Sequence, residues 1–568
     1  MMKLSRSVRG AALAASIVLT VSAAAPAAFA AEVNSGGKAG QGTQQGQGNQ
    51  QGQGNGKPGQ GQPGNGKPDK PGKPDKPDKP GKPDKPGKPG KSDSEKLRDK
   101  VTLKGLLGHL DAFQAAADAN NGNRAAGTPG YEASARYVES QLRKAGYQPF
   151  RQAFTYEQFV LNSDALEQVS PNPAAYTAGT DYLTMSYSGS GDVTAAVTAV
   201  DINLTGTRAN SSGCEAADFA GFTPGNIALL QRGTCAFGDK VANAAAAGAS
   251  GAIIFNQGNE VPGDDRTGLI NGTLGSELSA IPAVGTTFAL GETLAGTPGL
   301  TLRLSVDSAI KATETFNVIA DTPKGDPTRQ VVVGAHLDSV AEGPGINDNG
   351  SGSAAILETA IQLGKTGKFK LENQVRFAFW GAEEDGLVGS THYVSQLDET
   401  GLQNTLANLN FDMVGSPNFV RFVYDGDGDA FGTAGPTGSA AIEEVFESYF
   451  ASVGLASAPT EFSGRSDYQA FINNGIPAGG LFTGAEGIKT AEEAAIFGGT
   501  AGTAYDPCYH SVCDTRSNIS NKAMDEMSDA AAHAVLTFAQ TEADLRGGAG
   551  AARTAPAQPD YLGHEALR

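Results

Sequence analysis

The chain has 568 residues, with 43 Lys+Arg against 61 Asp+Glu, a formal charge of −18, 6 His and 4 Cys. That length allows more than one domain with a sizeable core. The acidic balance argues against a nucleic-acid partner, because phosphate binding needs a basic surface. So few cysteines exclude a disulfide scaffold.

Lys3, Arg6 and Arg9 open the chain, an apolar run follows from Ala11 to Val21, and Ala28-Phe29-Ala30 gives a small-x-small cleavage pattern. Residues 1–30 therefore read as a signal peptide. The run is short for a membrane span of ~20 residues, so no transmembrane anchor is expected. The mature protein is expected to be secreted and extracellular, where disulfides form. Residues 31–95, Gly/Gln-rich and then Lys/Pro-rich, have nothing to bury and read as a disordered linker. From Lys57 to Lys91, ten Lys against four Asp make this linker basic ahead of an acidic body, which suits a spacer or association with an anionic cell wall. Residues 546–568 read as a flexible C-terminal tail.

Between these ends, apolar spacing predicts helices over 97–117 and 131–145 and a strand over 147–156. From 157 to 312 the texture is short apolar runs broken by Gly, Asn and Ser. Strands are predicted at 193–203, 226–231 and 251–256, with an Ala-rich helix at 237–247. An α/β rhythm follows. Strands at 316–320, 330–335, 373–380, 407–413, 419–424 and 477–482 alternate with helices at 352–363, 387–397, 437–453, 467–473 and 523–541. Continuous apolar strands between helices imply an α/β fold with a mostly parallel central sheet and helices on both faces. The β-rich stretch reads as an insertion into it.

The chemistry gathers at strand ends, where open α/β sheets bind ligands. His336 and Asp338 end one strand. Asp348 lies in the acidic loop Gly345-Ile346-Asn347-Asp348-Asn349-Gly350. Glu383 and Glu384 end another strand, Asp412 a third, and His510 lies in Cys508-Tyr509-His510-Ser511-Val512-Cys513-Asp514. This mix of N and O donors suits zinc. Two adjacent carboxylates on an apolar strand need a cation to neutralise them. His109, His392, His533 and His564 lack such a setting and read as surface or core residues. The cysteines fall into two pairs, Cys214 with Cys235 and Cys508 with Cys513, read as disulfides in an exported protein. Thiolate zinc ligation is the rival, although no spacing resembles a zinc ribbon.

These segments closely resemble the secreted bacterial di-zinc aminopeptidases of the Streptomyces type, over about 96–156 and 313–545. The resemblance implies the zinc exopeptidase fold and two zinc ions per chain. One zinc would take His336 and Asp412, the other Glu384 and His510, with Asp348 bridging. It makes Glu383 the general base and Tyr509 the donor to the developing oxyanion, and Asp338 would orient His336. Arg465 would stand near bound substrate, and Phe482 would wall a pocket favouring Leu, Phe or Met. It also implies a cis bond after Asp348 and a calcium site at Asp525 and Asp529, whose N-terminal partner acid in the family falls near Lys100 here. The stretch 157–312, with Gly225–Phe237 and Gly251–Asn256, resembles a protease-associated domain. The expected function is a monomeric secreted metallo-exopeptidase acting on peptides and proteins with a free N-terminus. The alternatives are a di-zinc carboxypeptidase of the same fold, a one-zinc cyclising acyltransferase, or an inactive receptor-like relative.

Overall fold

Four strands with unbroken apolar runs lie side by side and parallel, in the order Ala478–Phe482, Thr405–Phe411, Asp326–His336 and Asn373–Trp380. Both faces of these strands are buried. Val331, Val333 and Ala335 join one core with residues of the helices Leu103–Asp118, Pro129–Lys144, Gly350–Thr366, Ser439–Ser452 and Asn521–Gln540. Val332 points the other way, into a core with Tyr393 of the helix Val388–Ser395 and Phe471 of Tyr468–Ile472. Period-two alternation between two apolar layers is what a covered parallel sheet requires. Antiparallel partners flank the parallel strands: Phe422–Tyr424 beside Ala478–Phe482, and Thr301–Asp321 beside Asn373–Trp380. The sheet is thus mixed and mostly parallel, with helices on both faces, as the sequence implied.

This computed structural model describes residues 90–208, 210–261, 264–546 and 559–568. The expected signal peptide and nearly all of the expected linker lie outside the described residues. The first helix, Asp93–Arg98, starts inside the stretch read as linker, because Ser92 caps it with a reciprocal Glu95 bond. The helix predicted over 97–117 is therefore two helices. Thr102 caps the second by accepting from the Gly105 N–H.

The predicted strand 147–156 is longer than its sequence pattern. Phe150–Ser170 pairs antiparallel with Thr301–Asp321 along its whole length, from Phe150↔Ile319 to Ser170↔Thr301. This ribbon runs from the mostly parallel sheet into the β-rich part, with bulges at Leu161/Ser163 and Gln168/Ser170. There Thr301–Val306 pairs with Gly191–Ala199, followed by Ile227–Gln231, Gly251–Phe255, Ala283–Thr286 and Tyr182–Thr184. The helix Phe237–Ala246 packs on one face of this second sheet and Phe288–Gly296 on the other. Both cysteine pairs are disulfides, Cys214–Cys235 and Cys508–Cys513.

Candidate active site

Because neighbouring parallel strands end at the same edge, the sheet brings distant residues together. His336 ends its strand, Asp412 directly follows Phe411, Glu383 and Glu384 follow Trp380, and Phe482 ends the fourth strand. Asp348 enters from the loop before the helix Gly350–Thr366, and His510 from the Cys508–Cys513 loop. The Asp348–Asn349 peptide bond is cis. Ala382, Met413 and His510 adopt left-handed φ of 59°, 50° and 51°. Such outliers concentrate where surroundings dictate the backbone.

The donor atoms fall into two groups that share Asp348. Asp348 Oδ1 lies 3.2 Å from His336 Nε2, which is 3.3 Å from Asp412 Oδ1. Asp348 Oδ2 lies 3.1 Å from His510 Nε2, which is 3.1 Å from Glu384 Oε2. Ligands of a tetrahedral zinc at ~2.0 Å stand about 3.3 Å apart. Asp412 Oδ1, Glu384 Oε1 and His510 Nε2 are buried without a hydrogen-bond partner. Protein charge alone suits the cluster poorly. Burial pushes the Glu383 carboxyl well above the usual range and Asp412 upward. Burial opposes the His510 cation, yet Glu384 and Asp348 raise its pKa to about 10. Without an ion, the carboxylates around them push both imidazoles toward the cationic form. Two divalent ions would supply that positive charge.

Glu383 lies beside the first group, with Oε2 3.9 Å from His336 Nε2. Asp338 accepts from the Glu383 and Glu384 N–H groups at 3.3 Å each, fixing the turn that carries them. Its Oδ1 is 3.7 Å from His336 Nδ1, too far for the hydrogen bond expected there. Tyr509 Oη receives a bond from Arg465 Nη2 at 3.2 Å, which leaves the phenol's own proton free to donate. Both residues line a cavity of about 630 Å³ with all four carboxylates of the cluster. Its apolar end is built by Met413, Phe422, Phe482, Ile488 and Tyr505.

Several residues that hold this site carried no signal in the sequence. Ser466 donates to Asp412 Oδ2 at 2.6 Å and accepts from Asn410 Nδ2 at 2.8 Å. Asp514, next to Cys513, accepts from the N–H groups of Asn347 and Asp348 at 2.9 and 3.0 Å. Arg124 is fully buried and bonds the carbonyls of Leu337, Pro344 and Gly345, bracing the loop under Asp348. Glu486 grips Arg465 through both oxygens, at 2.5 and 2.9 Å. Each acts across more than ten residues of sequence, so only the fold discloses it.

Three of the four histidines read as bystanders are that. His109 bonds Tyr137 and Glu358, His392 stacks on Phe154, and His533 stacks on Tyr449. His564 is a correction. It sits in the site, with Nδ1 3.5 Å from Glu384 Oε2 and its ring 4.4 Å from that of His510. It arrives on Pro559–Arg568, within the stretch read as flexible tail. Those residues form a hairpin of Tyr561–Leu562 with Glu565–Ala566. Asp525 and Asp529 lie on the helix Asn521–Gln540, where Asp529 faces the Arg98 guanidinium at 3.7 Å and also feels the negative charges of Asp525 and Asp99. Among the described residues, neither belongs to a group of three donors able to hold an ion.

Comparison with known proteins supplies the family. Residues 317–535 match peptidase family M28, and residues 193–294 match the PA domain. An aminopeptidase of Pseudomonas aeruginosa is 53% identical over 425 residues, covering 74% of this chain and 78% of that protein. Leucine aminopeptidase 2 of Trichophyton tonsurans is 41% identical, covering 79% and 86%. Among solved structures, an aminopeptidase from Aneurinibacillus sp. strain AM-1 superposes with a TM-score of 0.62 at 27% identity, covering 80% of this chain and 98% of that one. A zinc aminopeptidase from Bacillus subtilis gives 0.54 at 26%, covering 78% and 96%. The chain belongs to peptidase family M28 and is a zinc-dependent aminopeptidase carrying a PA domain.

Proposed function

We propose that the enzyme hydrolyses the N-terminal peptide bond of peptides and proteins with two zinc ions, preferring large apolar first residues such as Leu. One zinc would be held by His336, Asp412 and Asp348, the other by His510, Glu384 and Asp348. The observation that carries this is Asp348, whose two carboxylate oxygens each face a different histidine at 3.2 and 3.1 Å. When bound, the ions polarise the scissile carbonyl and lower the pKa of the attacking water. Glu383, buried at the cluster's edge, takes that water's proton and passes it to the leaving amine. The Tyr509 hydroxyl donates to the developing oxyanion, steadied by Arg465. Carboxylates around the cleft attract a free α-ammonium group and repel a terminal carboxylate, which favours an aminopeptidase over a carboxypeptidase. The cavity's aromatic and aliphatic wall, Phe482 included, accepts a Leu, Phe or Met side chain. The Arg98 guanidinium stands against Asp529, and among the described residues no three donors gather there to hold an ion, so calcium is left out of the proposal.

We further propose residues 157–312 as a domain inserted into a catalytic unit formed by 96–156 and 313–545. The two disulfides support an exported, extracellular protein. The test is metal analysis of the purified chain with hydrolysis of leucine anilide. Two zincs per chain are expected, with activity lost to a chelator and restored by zinc. A chain fully active with one metal, or one that prefers substrates with a blocked N-terminus, would overturn the reading.

A further inference from the structure

The hairpin Pro559–Arg568 crosses the mouth of the cleft and is anchored on both sides of it. On the catalytic side, Asp560 and Tyr561 donate their N–H groups to the Ser463 carbonyl, and Gly563 donates to Gly464, each at 3.1 Å. The Arg465 guanidinium lies over the Tyr561 ring, 5.0 Å from its centre. On the PA-domain side, Ala566 exchanges backbone bonds with Asn271 and Thr273 at 3.0 and 2.9 Å, and the Phe237 N–H bonds the Leu567 carbonyl at 2.8 Å. Ala566 is buried in that domain's core. The turn between these anchors carries Gly563, at φ 59°, and His564. It pushes the imidazole against the second donor group. His564 Nδ1 has no hydrogen-bond partner. Its donor atom, with those of Glu384 and His510, forms a group in which all lie within 4.8 Å of one another.

We propose that this hairpin is a built-in inhibitor, with His564 as a further protein ligand at the metal position of His510, Glu384 and Asp348; this rests on the two-zinc reading above. Three protein ligands leave a tetrahedral zinc one open position, the mark of a catalytic site, whereas four close it. His564 is the fourth. The hairpin also covers Arg465 with Tyr561 and fills cleft space that a peptide needs. A ligand on the same chain competes at a high effective concentration. Substrate then binds only the fraction of molecules whose hairpin has lifted, and its apparent affinity falls by that fraction.

The experiment compares the zinc-loaded full chain with His564→Ala and with a chain lacking 559–568. Both variants are expected to gain about tenfold or more in kcat/KM on leucine anilide, as the competent fraction rises. Independently of turnover, one of the two zincs should pass to a competing chelator about tenfold faster once the fourth ligand is gone. A synthetic peptide of residues 559–568 should bind the shortened chain by calorimetry, and its His564→Ala form about tenfold more weakly. His564→Ala keeps every anchor of the hairpin, so it decides the matter if the deletion misfolds. Zinc release and kcat/KM both within about twofold of the parent in His564→Ala would overturn the proposal. Faster zinc release with no hydrolysis of leucine anilide by any form would uphold the ligand and sink the aminopeptidase reading.

Discussion

Ser466→Ala isolates a single bond behind the metal cluster. Ser466 is 2% exposed and Asp412 7%, so the 2.6 Å bond from Ser466 Oγ to Asp412 Oδ2 is shielded from water. A buried hydrogen bond to a carboxylate contributes ~1.5–3 kcal/mol. Its loss frees Asp412 to rotate and removes the acceptor of Asn410 Nδ2. Taking ~2 kcal/mol, affinity for the zinc shared by His336 and Asp412 should fall roughly 30-fold, since 1.4 kcal/mol is a factor of ten. That lies inside the ~10–100-fold range for residues that support metal ligands. The second zinc, held by Glu384 and His510, should change by no more than about threefold. A competitive chelator titration reads the two affinities separately, and thermal melting checks the fold. Two zinc affinities within about twofold of the parent would refute the claim that Ser466 sets the Asp412 carboxylate.

Glu383→Gln should keep both zincs and lose ~100-fold or more in kcat, because only the proton carrier is removed. Asp348→Ala should lose metal outright, which metal analysis reads directly. Glu486→Gln gives up one arm of the fork on Arg465 in a half-exposed pair (52% for Glu486). Discounted for solvent, the loss is about 1 kcal/mol, or about fivefold in kcat/KM at an unchanged melting temperature. A chain starting at Gly90 should match the parent on leucine anilide. One starting at Lys100 loses the fully buried Leu97 and should be destabilised by ~2 kcal/mol in urea unfolding.

The sequence determined what local chemistry can announce. Buried parallel strands read as unbroken apolar runs, so Asp326–His336, Asn373–Trp380 and Thr405–Phe411 were legible. Their polar terminal residues stood out against those runs, which made His336, Glu383, Glu384 and Asp412 visible. Two cysteine pairs in a chain read as exported pointed to both bridges. Tertiary structure decided what depends on partners distant along the chain. Phe150–Ser170 extends past its own pattern because Thr301–Asp321 pairs with it. Ser466, Asp514 and Arg124 have side chains of ordinary surface type and acquire their roles from the atoms they meet. His564 is the sharpest case, since nothing around Leu562-Gly563-His564-Glu565 marks it as a ligand. It reaches Glu384 because backbone bonds to Ser463 and Gly464 on one side, and to Asn271 and Thr273 on the other, hold its turn over the cleft. A residue's type limits the chemistry it can perform, and the chain's long-range pairing decides which atoms it performs it with.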